Sequence, residues 1–327
     1  GFDHDFGNDT SKRFFGYGQV FLGIPFAKPP VGERRFSVMK EVLIIKSASF
    51  FAFTTNFREE FRPRCWQETS HNNVDEDCLY LNVITPHIRG NFPVMVAIHG
   101  GTFLTGGADE FHWKGAIRNL VSRGVVVVTI QYRLGLLGFF TTFTDRFPPN
   151  RGMYDQILAL QWINEEIVNF GGDPSRITIF GQSAGAVSVS DLSLSPLARG
   201  LFHQLIQSSG SALLQLDTIN NAFGSIHQRR ASQICHINST DWGTEEKDQS
   251  LFECLMTADP KNLTAFEYTG DFLVWGVAID GAFFPDSPEK LAESRPKYPV
   301  LAGDMLEEFA TFSESFSYLP FRDVSRC

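Results

Sequence analysis

The stretch RITIFGQSAGAVSVS, residues 176–190, contains three pieces in one order. Ile177 to Phe180 is a short apolar, β-branched run of the kind that forms a covered strand. Gly181-Gln182-Ser183-Ala184-Gly185 has the spacing Gly-x-Ser-x-Gly, and the small-residue run that follows opens a helix. A serine at the tip of so tight a strand-to-helix turn presents its Oγ outward, and glycines two residues to either side are needed because side chains there would collide. Oγ also faces the helix amino terminus, where unpaired N–H groups favour developing negative charge. The bland alternative is a glycine-rich turn with an incidental serine. The strand-turn-helix setting favours Ser183 as a nucleophile.

A serine that attacks a carbonyl needs donors for the resulting oxyanion. IHGGTFLTGG, residues 98–107, supplies bare backbone at the end of another apolar run, PVMVAIHG. The N–H groups of Gly100, Gly101 and Ala184 are the natural three. His99 adjoins these donors and does not lie opposite the nucleophile, so it is read as shaping the turn and not as a base.

From residue 93 onward, short apolar runs alternate with helical periodicity, the pattern of βα units around a mostly parallel sheet. PVMVAIHGG and VVVVTIQYRL read as strands covered on both faces. Leu160, Ile163, Ile167 and Phe170 make one helical stripe, which Gly171 and Gly172 end before Asp173-Pro174 opens a turn. HQLIQSSG, residues 203–210, reads as another buried strand, and KYPVLAGD, residues 297–304, as one more strand. Residues 215 to 275 turn polar and irregular, with weak helices, as an insertion over the sheet edge would. No repeat or low-complexity linker divides the chain, so residues 1–327 are expected to form a single domain.

Composition narrows the class of function. With 43% hydrophobic and 20% charged residues the 327-residue chain is globular, and 32 phenylalanines supply much of its apolar volume. A net charge of −9 without a dense Lys/Arg cluster argues against nucleic acid as a partner. The longest apolar run, residues 42–57, is interrupted by Lys46 and falls short of a membrane span. The five cysteines (65, 78, 235, 254 and 327) fit either reduced thiols or a disulfide framework. Asn-x-Ser/Thr sequons at Asn8, Asn238 and Asn262 tilt the balance towards a secretory, oxidising setting.

Eight ordered blocks carry a resemblance: FLGIPFAKPPVGERRF, NNVDEDCLYLNV, VAIHGGTF, YRLGLLGF, NRGMYDQILALQW, VNFGGDPSRITIFGQSAGA, IDGAFFP and PVLAGDMLEEF. Together they resemble the type-B carboxylesterases, the cholinesterase-like branch of the α/β-hydrolase fold. The resemblance implies an α/β fold, with a central, mostly parallel sheet flanked by helices, and ester hydrolysis through an acyl-serine on a small-molecule ester. It also implies disulfides Cys65–Cys78 and Cys235–Cys254, and a secreted or endoplasmic-reticulum location. No metal or organic cofactor is implied.

In that family the acid of the triad is a glutamate shortly after a strand ending in Gly. Gly303 followed by DMLEEF aligns Glu308 with it; Phe309 stands where glycine is usual, which leaves Glu307 as the alternative. Triad order on this fold is serine, acid, histidine. All eight histidines precede Glu308, so the expected base is absent from the sequence, and the domain is expected to be incomplete at its C-terminus, with its last strands missing. His203 is the substitute nearest to Ser183 after it in sequence, but it would need a different approach to Oγ.

Two departures bear on substrate and integrity. The family's proline pair and tryptophan between Arg-Phe and the first cysteine are missing from residues 37–62. The loop Cys65 to Cys78 is short and its Trp66 adjoins the cysteine, so Trp66 is read as packing and not as a wall for a cation. A general carboxylesterase without strong choline preference is therefore expected. The rival readings are a non-catalytic adhesion relative of the neuroligin type, which characteristically loses the serine kept here, and an inactive truncated product.

Overall fold

The computed structural model describes residues 1–43, 60–68, 73–215, 223–236, 245–264 and 275–305. Its strands are β1 (Phe2–Asp5), β2 (Tyr17–Pro25), β3 (Arg64–Cys65), β4 (Val74–Asp75), β5 (Tyr80–Thr85), β6 (Phe92–Ile98), β7 (Val126–Ile130), β8 (Gly172–Gln182), β9 (Gln204–Ser208) and β10 (Val300–Gly303). Eight of them form one sheet in the order β1-β2-β5-β7-β6-β8-β9-β10, while β3 pairs with β4. From β7 to β10 every neighbour is parallel, and from β1 to β7 every neighbour is antiparallel.

Val126 to Ile130 are buried without exception, as a central strand with helices on both faces requires. Period-two alternation sends Val126 and Val128 into the larger core and Val127 to the opposite face. There Val127 joins Phe2, Val20, Leu22 and Ile84 under helix α1 (Trp113–Asn119). The larger core lies beneath α2 (Gly135–Phe139), α3 (Arg151–Glu166) and α4 (Ala184–Leu194). Leu160 and Ile163 of α3 are fully buried, and Gly171, at φ 77°, closes the 3-10 turn that continues the helix.

Two readings of the sequence shift in detail. Asp173-Pro174 lies inside β8, because the Asp173 carboxylate accepts from Ser175 N–H and Oγ and from Arg176 Nε, forming its turn within the strand. The pairing of β6 with β8 is displaced between Phe92 and Val94 accordingly. β9 is only half-buried, and of its residues only Leu205 is sealed. β10, beyond it, is exposed along its length.

The polar region from 215 to 275 carries α5 (Phe223–Cys235), α6 (Glu245–Thr257) and α7 (Pro260–Thr264); α8 (Pro288–Ser294) precedes β10. Disulfides join Cys65 to Cys78 and Cys235 to Cys254. Arg35 ties the two loops together. Its guanidinium forms a fork on Glu76, and Nη1 donates to the carbonyls of Leu255, Met256 and Ala258 at the end of α6. Among the described residues no helix is long and apolar enough to cross a membrane.

Candidate active site

β8 ends at Gln182 and α4 starts at Ala184, so Ser183 alone makes the turn. It does so at φ 55°, ψ −126°, a conformation few non-glycine residues adopt and a form of strain common at functional sites. The surroundings hold it there. Ser183 N–H donates to Ser208 O at 2.9 Å, and Val187 N–H donates to Ser183 O at 3.0 Å. The glycines are required by close approach. A Cβ on Gly181 would stand 2.4 Å from the Gly185 carbonyl carbon, and one on Gly185 would stand 2.2 Å from Ile98 O. The Ser183 side chain is half-buried, and Gln182 beside it is exposed.

β6, the strand next to β8, delivers the second element. Ile98 pairs with Gly181, so the chain leaving β6 at His99 runs past the elbow. A Cβ on Gly100 would lie 2.5 Å from Gln182 O and 3.3 Å from the Ser183 Cβ, which brings the Gly100 backbone against the serine. Gly101, at φ 103°, starts a tight turn whose carbonyl accepts from Leu104 N–H and Thr105 N–H. Gln67 braces its far end, donating to Gly106 O and accepting from Gly106 N–H. Among the described residues the N–H groups of Gly100, Gly101 and Ala184 have no acceptor, and Ala184 is the first residue of its helix.

His99 is buried, with Nδ1 3.0 Å from Gly100 O and its ring stacked on Tyr132 at 4.4 Å. A carbonyl only accepts, so Nδ1 carries the proton and Nε2 is the bare nitrogen. Burial pulls the pKa of His99 down to about 4, against the opposing pull of the Gly100 carbonyl, and the ring is neutral at pH 7. His203 stands at the opposite end of the sheet. It is exposed, its Nδ1 accepts from Ile177 N–H, and six residues of strand, roughly 20 Å, separate Ile177 from Ser183. Among the described residues no side chain hydrogen-bonds to Ser183 Oγ.

Glu307, Glu308, Asn238 and Cys327 lie outside the described residues, as does the greater part of 37–62. Asn8 and Asn262 are both exposed. Trp66 is half-buried and packs against the main core. The gap lined by Arg35, Glu76, Arg133 and the first disulfide has no room for a water molecule and is packing, not a cleft. Two contributors to the site escape the sequence reading: Ser208, which holds the elbow N–H, and Tyr132. Only the small residues after the IQ of β9 and a tyrosine ending an apolar run hint at them.

Residues 7–319 match the model of the carboxylesterase family. The chain belongs to the carboxylesterase family. Its α/β-hydrolase fold follows from that membership and from the mostly parallel sheet with flanking helices. Gut esterase 1 of Caenorhabditis briggsae is 37% identical over 304 residues, which are 91% of this chain and 52% of the relative. Liver carboxylesterase 1 of Oryctolagus cuniculus is 37% identical over 324 residues, 89% of this chain and 54% of the relative. Acylcarnitine hydrolase of Mus musculus is 39% identical over 293 residues, 86% and 50% respectively. The chain thus spans about half the length of the curated carboxylesterase relatives it matches.

Proposed function

We propose that this chain supplies the nucleophile and oxyanion site of a carboxylic ester hydrolase. The observation that carries the reading is Ser183, held at positive φ where β8 meets α4, with the Gly100 backbone packed against it. Ser183 Oγ attacks the ester carbonyl as its proton passes to a base, and Gly100, Gly101 and Ala184 N–H groups hold the oxyanion. Collapse expels the alcohol and leaves an acyl-serine, which water cleaves to the acid and free serine. Glu308, or Glu307, orients a histidine base. No histidine follows His236 within these 327 residues, which span about half the length of the relatives.

The relatives carry the names of an esterase, a carboxylesterase and an acylcarnitine hydrolase, which supports an acyl ester as the substrate class. The packed Trp66 favours neutral esters over choline esters. Two disulfides and the exposed sequons at Asn8 and Asn262 support residence in the endoplasmic-reticulum lumen or outside the cell, with glycosylation there and at Asn238. In the protein expressed from its full reading frame, p-nitrophenyl butyrate is expected to be hydrolysed faster than acetylthiocholine. Ser183→Ala is expected to remove about 10⁴-fold or more of that activity, together with all labelling by a fluorophosphonate. Unchanged turnover or labelling in that variant overturns the reading.

A further inference from the structure

Three pieces of chain converge on one peptide group, the link between His99 and Gly100. On one side lies the first turn of α4, close enough that a Cβ on Gly185 would stand 3.0 Å from His99 O. On another lies the end of β8, with Gln182 O and Ser183 against Gly100. The third is Tyr132, two residues beyond β7 and fully buried, whose hydroxyl donates to His99 O at 2.8 Å while its ring lies flat on the imidazole, 17° from parallel. The Gly100 N–H that the proposed function uses as an oxyanion donor belongs to this same peptide. In a trans peptide the C=O and N–H are coplanar and point in opposite directions, so fixing the carbonyl fixes the N–H. A hydrogen bond accepted by the carbonyl also polarises the amide and makes its N–H a better donor.

We infer that Tyr132 is a positioning residue: by hydrogen-bonding the His99 carbonyl it sets both the aim and the donor strength of the Gly100 N–H. The stack on His99 keeps the hydroxyl from swinging away, and the same stack holds the imidazole whose Nδ1–H closes onto Gly100 O. Tyr132 acts through the backbone and touches no reacting atom. The inference rests on the ester-hydrolase reading above.

The test is Tyr132→Phe in the protein expressed from its full reading frame. This substitution keeps the ring and removes the donor. The expected result is a fall in kcat of about tenfold with KM within about twofold, because the oxyanion exists only beyond the ground state. Affinity for a trifluoromethyl ketone, which forms a tetrahedral adduct with the serine, is expected to fall in parallel. A folded variant with unchanged kcat and ketone affinity, or with a raised KM alone, overturns the inference. Where Tyr132→Phe does not fold, 3-fluorotyrosine placed at 132 decides. Its more acidic phenol is expected to tighten the ketone, and an unchanged affinity overturns the inference. Ser183→Ala, measured alongside, separates the two readings. Retained turnover there removes the enzyme reading and this inference with it, whereas a dead Ser183→Ala beside an unaffected Tyr132→Phe removes only the role of Tyr132.

Discussion

Asp155 on α3 and Asp191 on α4 are both sealed from solvent, on helices close enough that Gln156 hydrogen-bonds Ser188 between them. Asp155 receives three donors from one residue: Arg133 N–H, Nε and Nη2, at 3.1, 2.7 and 2.7 Å. Asp191 Oδ2 has no hydrogen-bond partner among the described residues, and burial raises the pKa of its carboxyl well above the usual carboxylate range. The same side chain thus does opposite work. Beside Arg133, Asp155 pins the exit of β7, the segment that carries Tyr132 to the candidate site. Asp191, buried with no partner for Oδ2 among the described residues, favours its protonated form and pins no neighbouring segment through that oxygen. Burial alone does not tell a structural anchor from a liability; the partners decide.

That contrast can be broken experimentally, most forcefully at Asp155. Asp155→Ala strands the Arg133 guanidinium, and a loss of about 3–5 kcal/mol is expected in a denaturant titration. A loss under 1 kcal/mol would show that the pair anchors nothing. Arg133→Lys keeps the charge but not the fork, and it also forfeits the donation to Ser37 O. About 2–3 kcal/mol is expected in the same titration. Asp191→Asn is expected to act in the opposite direction, raising stability by about 1–2 kcal/mol at pH 7.

The pH dependence of that last effect sharpens the comparison. A carboxyl whose pKa is raised in the folded state contributes fully below its unfolded value, near 4, and that contribution is lost as pH rises towards the folded value. The gap between Asp191→Asn and the parent is therefore expected to be near zero at pH 4. It should widen by at most about 1.4 kcal/mol per unit towards neutral pH. Melting temperatures taken across pH 4 to 8 check this, and a gap independent of pH would mean that Asp191 is not the buried acid described here.

The parallel half of the sheet was legible because its strands are built on short apolar runs, most of which end in glycine or serine turns, and the elbow could be read for the same reason. The antiparallel half was not. β2 breaks its own alternation at Gly23, where φ is 72°, the register shifts between Phe21 and Ile24, and the N–H is taken by the Asn82 side chain. β5 hides that asparagine in a strand buried from end to end. Gly100, Gly101 and Ala184 could be named from local pattern, since each adjoins a motif. Tyr132 could not, because its part depends on two strand exits 33 residues apart in the chain meeting at one carbonyl. Asp155 and Arg133 were not legible either, because their burial follows from a pairing between the exit of β7 and α3 that no local pattern shows.

The reach of Arg35 determines how this molecule would come apart. Its guanidinium grips Glu76, two residues from Cys78, and the carbonyl end of the helix that bears Cys254. Neither loop can lift without breaking charge-assisted bonds to the other. In native-state hydrogen exchange the amides of residues 73–78 and those near the end of α6 should therefore open as one cooperative unit with a shared free energy, although about 180 residues separate them. Replacing Arg35 with methionine should divide that unit into two, each exchanging at its own rate.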